Sequence, residues 1–132
     1  MTFLVLLLQL SACDSSDEAG SPGNVTGTAL GPAQLGVIVN DDDPLSQRIA
    51  AYYMDARSIP ADNLVHVRFT PGSKVMRPQA FKTLKSAVDA ATPEGVQAWV
   101  LTWTTPYRVG CMSITTAFAA GFDEAFCVQG CK

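Results

Sequence analysis

The sequence has few charged residues, only one histidine and no run of basic residues. Charged residues make up 16% of the 132 residues and hydrophobic residues 48%, and this balance argues against a disordered chain. The nine lysines and arginines are scattered and the formal net charge is -3, so nucleic-acid binding has no electrostatic footprint here. These bulk properties predict one globular domain.

Complete catalytic motifs are also missing. The sequence has no G-x-S-x-G nucleophile elbow, no H-E-x-x-H zinc motif and no spaced D-x-[DN]-x-[DN]-G calcium loop. The sequence therefore identifies no reaction, and no cofactor is predicted.

The first residues are typical of an exported lipoprotein. The apolar run "FLVLLLQL" at 3–10 is shorter than the roughly 20 residues of a transmembrane helix, and small residues and Cys13 follow it. We expect residues 1–12 to be a signal peptide and Cys13 to be lipidated, although no lysine or arginine precedes the apolar run. The alternative is a buried N-terminal strand that contains a cysteine. A lipid anchor predicts the membrane as a partner and the bacterial cell envelope as the location.

A linker and an α/β domain follow. Residues 13–34 are rich in Gly, Ser, Thr, Asp and Pro, which predicts a flexible tether. From residue 35 onwards, apolar runs alternate with helical periodicity, and this order predicts a β-α-β-α-β start of a doubly wound, mostly parallel sheet. The predicted strands are 35–39, 64–69 and 96–103, and the predicted helices are 44–57 and 78–91. The apolar repeat of the first helix, which includes Tyr52, and the stripe of Phe81, Leu84 and Val88 on the second are expected to face the core. The α/β domain is expected at 35–132. Because three strands are few for a sheet, a fragment with no independent function is a further hypothesis.

Polar residues follow the first and third predicted strands. Ligands bind such sheets outside the carboxyl ends of the strands, where the strand order reverses. If the first and third strands are neighbours, "NDDDP" and "TTPYRVG" line one crevice. The candidate ligand-binding residues there are Asn40, Asp41, Asp43, Thr104, Tyr107 and Arg108.

The three consecutive aspartates allow two interpretations. Carboxylates suit Ca²⁺ or Mg²⁺. Consecutive side chains point in different directions, so at most two of the three aspartates could share an ion, and Asp41 and Asp43 are weak candidates for such a site. The other interpretation gives Asn40 and Asp41 a role in the turn, places Asp43 and Pro44 at the start of a helix, and leaves Asp42 in solvent.

Three cysteines remain if Cys13 is lipidated. One disulfide is the leading prediction in an oxidising compartment, and Cys127–Cys131 is the expected pair because Gly130 relaxes the short loop. A zinc site formed by Cys111 and the other two is an alternative. So is a catalytic thiol at Cys111 with His66 as its base.

Two segments resemble a family of exported bacterial proteins of unknown function. They are "LGVIVNDDDPLSQRIAAYYMDARSIPADNLVHVRF" at 35–69 and "LTWTTPYRVGCMSITTAFAAGFD" at 101–123. The resemblance implies export and the α/β start of a longer domain, and it brings no activity. Two functional hypotheses follow: a cell-envelope lipoprotein that binds a ligand or surface through the crevice, or an exported α/β hydrolase-type enzyme with part of its catalytic residues elsewhere.

Overall fold

The computed structural model describes residues 29–127. The predicted signal peptide, Cys13, most of the predicted linker and Cys131 lie outside these residues. The described strands are Leu35–Asn40 (β1), Leu64–Val67 (β2), Val75–Met76 (β3), Ala98–Leu101 (β4), Arg108–Val109 (β5) and Met112–Ser113 (β6). The described α-helices are Pro44–Ala56 (α1), Pro78–Ala91 (α2) and Ile114–Ala120 (α3).

The main sheet is parallel and has the order β2-β1-β4. The predicted α/β class is confirmed, and the first and third predicted strands are neighbours. β2 and β4 are shorter than predicted, since the ladder to β1 ends at Val67 and at Leu101. β1 is buried almost throughout, as its continuous apolar run indicates.

Helices α1 and α2 cover opposite faces of this sheet. Val37 and Val39 of β1 pack with Ala50 of α1 on one face. Ile38 points to the other face, where it packs with Phe81 and other residues of α2. Because successive side chains of a strand point to opposite faces, the one apolar strand serves both cores. This arrangement is the doubly wound architecture that the sequence predicts.

Helix α1 begins as predicted but buries a different face. Asp43 caps it by accepting a hydrogen bond from Leu45 N–H over 2.9 Å, and Pro44 is its first residue. The residues that α1 buries completely are Ser46 and Ala50, whereas Tyr52, expected in the core, is 76% exposed. Ser46 is buried because its hydroxyl is hydrogen-bonded to Asn40 N–H and to the Thr102 hydroxyl.

A second, smaller sheet has the order β3-β5-β6 and was not predicted. Its strands have two residues each, too short for an alternating pattern to be visible. β3 and β5 are parallel, and β5 and β6 are antiparallel. Together with α3 this sheet extends the core on the α2 side, through Val109, Ile114 and Ala117.

The disulfide joins Cys111 to Cys127, with a Cα–Cα distance of 5.6 Å, so the predicted pair Cys127–Cys131 is wrong. The turn between β5 and β6 brings Cys111 beside the segment after α3, although 16 positions separate the two cysteines. Loop length alone favoured the partner nearer in sequence, but the fold brings Cys111 within bonding distance of Cys127. The sulfur of Cys111 is bonded in this structure, so the thiolate needed for zinc binding or nucleophilic catalysis is not present.

Candidate functional site

A chain of buried hydrogen bonds fills the point where the strand order reverses, between the ends of β1 and β4. Asn40 N–H donates to Ser46 Oγ over 2.9 Å, and Ser46 Oγ lies 2.7 Å from Thr102 Oγ1. Thr102 Oγ1 donates to Ile38 O over 2.9 Å. Since the Thr102 proton is used there, Ser46 must donate to Thr102. The chain therefore runs in one direction and fixes the start of α1 to both strands.

The Asn40 side chain is also occupied by structural contacts. It is fully buried, donates through Nδ2 to Phe69 O over 2.9 Å, and accepts from Phe69 N–H over 3.1 Å. Its Oδ1 also accepts from Asp42 N–H over 3.2 Å. Beyond the end of β2, the Asn40 side-chain amide thus pairs with the backbone of Phe69 as a neighbouring strand would. It also holds the turn that follows β1. Asn40, predicted as a ligand-binding residue, positions the neighbouring aspartates instead.

Four charged or titratable side chains meet at the carboxyl ends of β1 and β2, and we call them the strand-end cluster: Asp41, Asp42, His66 and Arg68. Asp41 Oδ1 lies 2.8 Å from His66 Nδ1, and its Oδ2 lies 3.3 Å from an Arg68 guanidinium nitrogen. Asp42 Oδ1 accepts from Arg68 Nη1 over 3.0 Å. Asp41 is the central residue, because it contacts both His66 and Arg68.

Asp41 determines which nitrogen of the His66 ring carries the proton. A carboxylate only accepts hydrogen bonds, so Nδ1 must be the donor in the 2.8 Å contact. In the neutral ring, Nε2 then has a lone pair. The side chain of His66 is 58% exposed, so this lone pair is accessible to a ligand. The Asp41–His66 pair therefore presents a hydrogen-bond acceptor or base at the strand end.

An open groove of about 340 Å³ lies beside the cluster, between β2 and α1. Asp41, His66 and Arg68 form its polar side. Its other lining residues are mainly apolar and come from β1, β2 and α1: Val39, Leu64, Ala50, Ala51 and Gln47. A small molecule could thus contact charged groups and an apolar surface at once.

The ion pairs of the strand-end cluster add little to stability. The Arg68 side chain is 70% exposed and that of Asp42 41% exposed. Pairs with such exposure contribute about 0.2–1 kcal/mol, because water screens them and ordering long side chains costs entropy. The small gain in folding stability from these ion pairs is therefore a weak explanation for why the four side chains lie together.

The aspartates do not converge on one point. The Asp43 carboxylate caps α1, whereas the Asp41 carboxylate faces His66 and Arg68. Within residues 29–127, no three His, Cys, Asp or Glu side chains are placed to share a metal ion. Asp41 and Asp43, the weak candidates for binding Ca²⁺ or Mg²⁺, therefore do not point towards a shared ion.

The two halves of the predicted crevice, residues 40–43 and 104–108, are not hydrogen-bonded to each other within the described residues. Arg108 belongs to β5, Tyr107 N–H donates to Lys74 O over 3.2 Å, and Thr104 is exposed. The segment after β4 continues into β5 of the small sheet, and the Asp41 carboxylate contacts His66 of β2 and Arg68, which follows β2.

The sequence reasoning missed His66 and Arg68 as members of the site. A usable signal was present, because alternation along β2 places both side chains on one face, two residues apart, at the carboxyl end of a strand. At the level of sequence, His66 enters only as a base for Cys111, and Arg68 enters no predicted site.

The described helices include none with the length and apolar character needed to cross a membrane. No protein-family model, curated protein or solved structure matches the chain.

Proposed function

We propose that the protein is a lipid-anchored cell-envelope protein that binds a small ligand at the strand-end cluster. The observation that carries the ligand site is the 2.8 Å contact between Asp41 and His66, with Arg68 beside it, at the carboxyl ends of parallel strands. Ligands of α/β sheets bind outside the carboxyl ends of the strands. The cluster lies at this edge, on the β2 side of β1, whereas the strand order reverses on the β4 side.

Two features support the envelope location. The apolar N-terminal run followed by Cys13 is typical of lipoprotein signals. The Cys111–Cys127 disulfide agrees with an oxidising compartment, since disulfides are rare in proteins that stay in the cytosol.

The chemistry of the groove favours a small carboxylate that also carries a hydroxyl group and an apolar side chain. The hydroxyl would donate to His66 Nε2. Arg68 has five N–H donors and its aspartate contacts leave some of them for an anionic oxygen. Ala50, Ala51 and Leu64 would contact the apolar part.

Binding of α-hydroxyisocaproate to the full-length protein tests this site. In NMR titrations, the resonances of His66 and of the Arg68 side chain should shift with a Kd on the order of 1 mM. Isocaproate lacks the hydroxyl and α-hydroxyisocaproamide lacks the charge, so each should bind more weakly. No shift at His66 or Arg68 at tens of millimolar would refute the ligand class.

A matched pair of arginine variants separates the site from general charge effects. Arg68→Gln should weaken binding about 10- to 100-fold, because a charge-assisted hydrogen bond is lost. Arg57→Gln is the control, since Arg57 follows α1 and stacks over Tyr53. Equal effects of the two changes would show that the site does not involve Arg68.

The lipid anchor needs a separate experiment. Wild-type protein should take up labelled lipid and sediment with membranes, and Cys13→Ser should do neither. If the variant still sediments with membranes and the wild type takes up no lipid, the anchor is wrong.

A hydrolase-type enzyme is the second candidate function, and the Asp41–His66 pair is what favours it. In serine and cysteine hydrolases, a carboxylate orients His through Nδ1 and Nε2 acts on the nucleophile. Within residues 29–127, no serine or cysteine side chain is hydrogen-bonded to His66. Hydrolysis of p-nitrophenyl acetate that is lost in His66→Gln would support this candidate. Equal rates of hydrolysis for the wild type and for His66→Gln would oppose the hydrolase candidate.

A further inference from the structure

The outer edge of β2 is open in the part of the chain that the structure describes. The strand order β2-β1-β4 gives β2 one neighbour, and Asp41 N–H donates to Val67 O on that side. Because the backbone groups of successive residues in a parallel strand point alternately to its two sides, those of His66 and Arg68 point away from β1. Within residues 29–127, neither has a strand partner there. An open edge of this kind accepts an extended peptide as a further strand.

Two grooves flank this edge, one on each face of the sheet. The groove beside α1 is the one of about 340 Å³ that the strand-end cluster borders. The groove beside α2 has a volume of about 450 Å³, and its mainly apolar lining includes Val67, Phe69, Met76, Ala80 and Leu84. His66 and Arg68 line both grooves, so the two meet at the strand edge. Successive side chains of an added strand would enter the two grooves in turn.

We propose that the occupant of this edge is the carboxyl terminus of a peptide, which adds to β2 as a parallel strand. The peptide site depends on the proposed ligand site, because it uses the same Arg68 and His66 side chains. A parallel strand runs in the direction of β2, so its last residue lies beside the Arg68 guanidinium. A terminal carboxylate complements that charge, whereas an internal peptide segment or the β2 strand of a second copy brings no such carboxylate.

The ladder between β1 and β2 gives the register of the added strand. In that ladder Val39 lies opposite His66 and bonds to the residues on either side of it. By the same pattern on the outer side, His66 N–H donates to the C=O of the third-last peptide residue, and His66 C=O accepts from the N–H of the last residue. Arg68 N–H then donates to the terminal carboxylate. The penultimate residue lies opposite His66.

This register defines the side chains that fit. The penultimate side chain lies beside His66 on the α1 face, where a threonine hydroxyl would donate to Nε2. The last and third-last side chains lie on the other face, in the groove beside α2. The fourth-last side chain lies opposite Leu64, near Ala50 and Ala51. A peptide that ends in Leu-Val-Thr-Leu therefore supplies the carboxylate, the hydroxyl and three apolar side chains.

Binding of acetyl-Lys-Leu-Val-Thr-Leu to the full-length protein tests the peptide site. Its Kd should be about tenfold or more below that of α-hydroxyisocaproate, because backbone hydrogen bonds and apolar contacts are added. A peptide methylated on the nitrogen of its last residue cannot donate to His66 C=O and should bind about tenfold more weakly. A peptide with an amidated carboxyl terminus should also bind about tenfold more weakly. Equal affinity of either modified peptide would overturn the proposal.

Hydrogen exchange of backbone amides reports the added strand directly. At saturating peptide, exchange of the His66 and Arg68 backbone N–H groups should slow about tenfold or more, since both become donors to the peptide. α-Hydroxyisocaproate contacts side chains and should not slow exchange of the His66 N–H. Unchanged exchange at both amides with millimolar peptide would overturn the added strand.

A matched pair of α2 variants tests the second groove. Ala80 is exposed and lines the groove beside α2, whereas Ala90 is exposed on the same helix and is not part of that lining. Ala80→Gln should weaken peptide binding about tenfold, because it places a polar amide in an apolar groove, and should leave α-hydroxyisocaproate binding unchanged. Ala90→Gln should change neither. Equal peptide affinity of the two variants would refute the placement of the last side chain.

The two ligands distinguish the added strand from the small-ligand site. If α-hydroxyisocaproate shifts the resonances of His66 and Arg68 but the peptide leaves amide exchange unchanged, the added strand is wrong and the small-ligand site stands. If neither ligand binds, both are wrong.

Discussion

Replacing Ser46 with alanine should destabilise the domain, because Ser46 connects α1 to both β1 and β4. Its Oγ accepts from Asn40 N–H over 2.9 Å and lies 2.7 Å from Thr102 Oγ1. Asn40, Ser46 and Thr102 are all buried, so bulk water does not replace the lost contacts.

The expected size follows from the groups that lose a partner. A buried donor without a partner costs about 1–3 kcal/mol, and here that donor is Asn40 N–H. Alanine favours a helix over serine by about 0.5 kcal/mol, which offsets part of the loss. Ser46→Ala should therefore cost about 0.5–2.5 kcal/mol. Thr102→Val keeps the shape of the side chain but leaves the Ser46 proton without its acceptor, and should cost about 1–2 kcal/mol.

Both changes remove the same hydrogen bond, so their effects should not add. The double variant should be about 1 kcal/mol more stable than the sum of the single effects predicts. Urea unfolding followed by tryptophan fluorescence measures this, since Trp99 and Trp103 pack in the core. Ser86→Ala is the matched control, because Ser86 is exposed on α2 and should change stability by less than about 0.5 kcal/mol.

Two results would refute the hydrogen-bond chain. One is a Ser46→Ala variant as stable as Ser86→Ala. The other is a double variant whose loss equals the sum of the two single losses, which would mean that Ser46 and Thr102 act independently.

Substitutions at three other positions test the fold. Gly36→Ala should cost about 1–3 kcal/mol in urea unfolding, because a methyl group would overlap the Trp99 ring, and an unchanged midpoint would contradict this packing. Asp43→Ala removes the cap of α1 and should cost about 1 kcal/mol. In the same titration Asp43→Asn should cost much less, and equal losses would argue against the cap. Cys111→Ser removes the 16-position cross-link and should cost about 3 kcal/mol, seen as a lower Tm. A Tm equal to that of the oxidised wild type would oppose the pairing with Cys127.

The alternation of strands and helices could be predicted because each large element has a strong local signal. The apolar run of β1, the proline starts of α1 and α2, and the stripe of Phe81, Leu84 and Val88 all agree with the observed elements. The small sheet could not be predicted, since it depends on long-range pairing of two-residue strands. The buried face of α1 was missed for a similar reason, because the partner of Ser46 is 56 positions away.

The members of the strand-end cluster were predicted only in part. Asp41 lies at the strand end as expected, but its partners come from β2 and not from the segment after β4. The Asn40 amide decides this, since it ties the turn after β1 to Phe69, next to Arg68. Strand order alone does not predict whether the turn after β1 contacts residues next to β2 or residues next to β4.

The most direct test of the strand-end cluster is the tautomer of His66. His66 is the single histidine of the chain, so its ring nitrogens can be assigned without ambiguity in a long-range ¹H–¹⁵N spectrum. At a pH where the ring is neutral, we predict the proton on Nδ1 in wild type and a shift towards Nε2–H in Asp41→Ala. A wild-type ring with its proton on Nε2, unchanged in Asp41→Ala, would contradict the role of Asp41 and with it the proposed site.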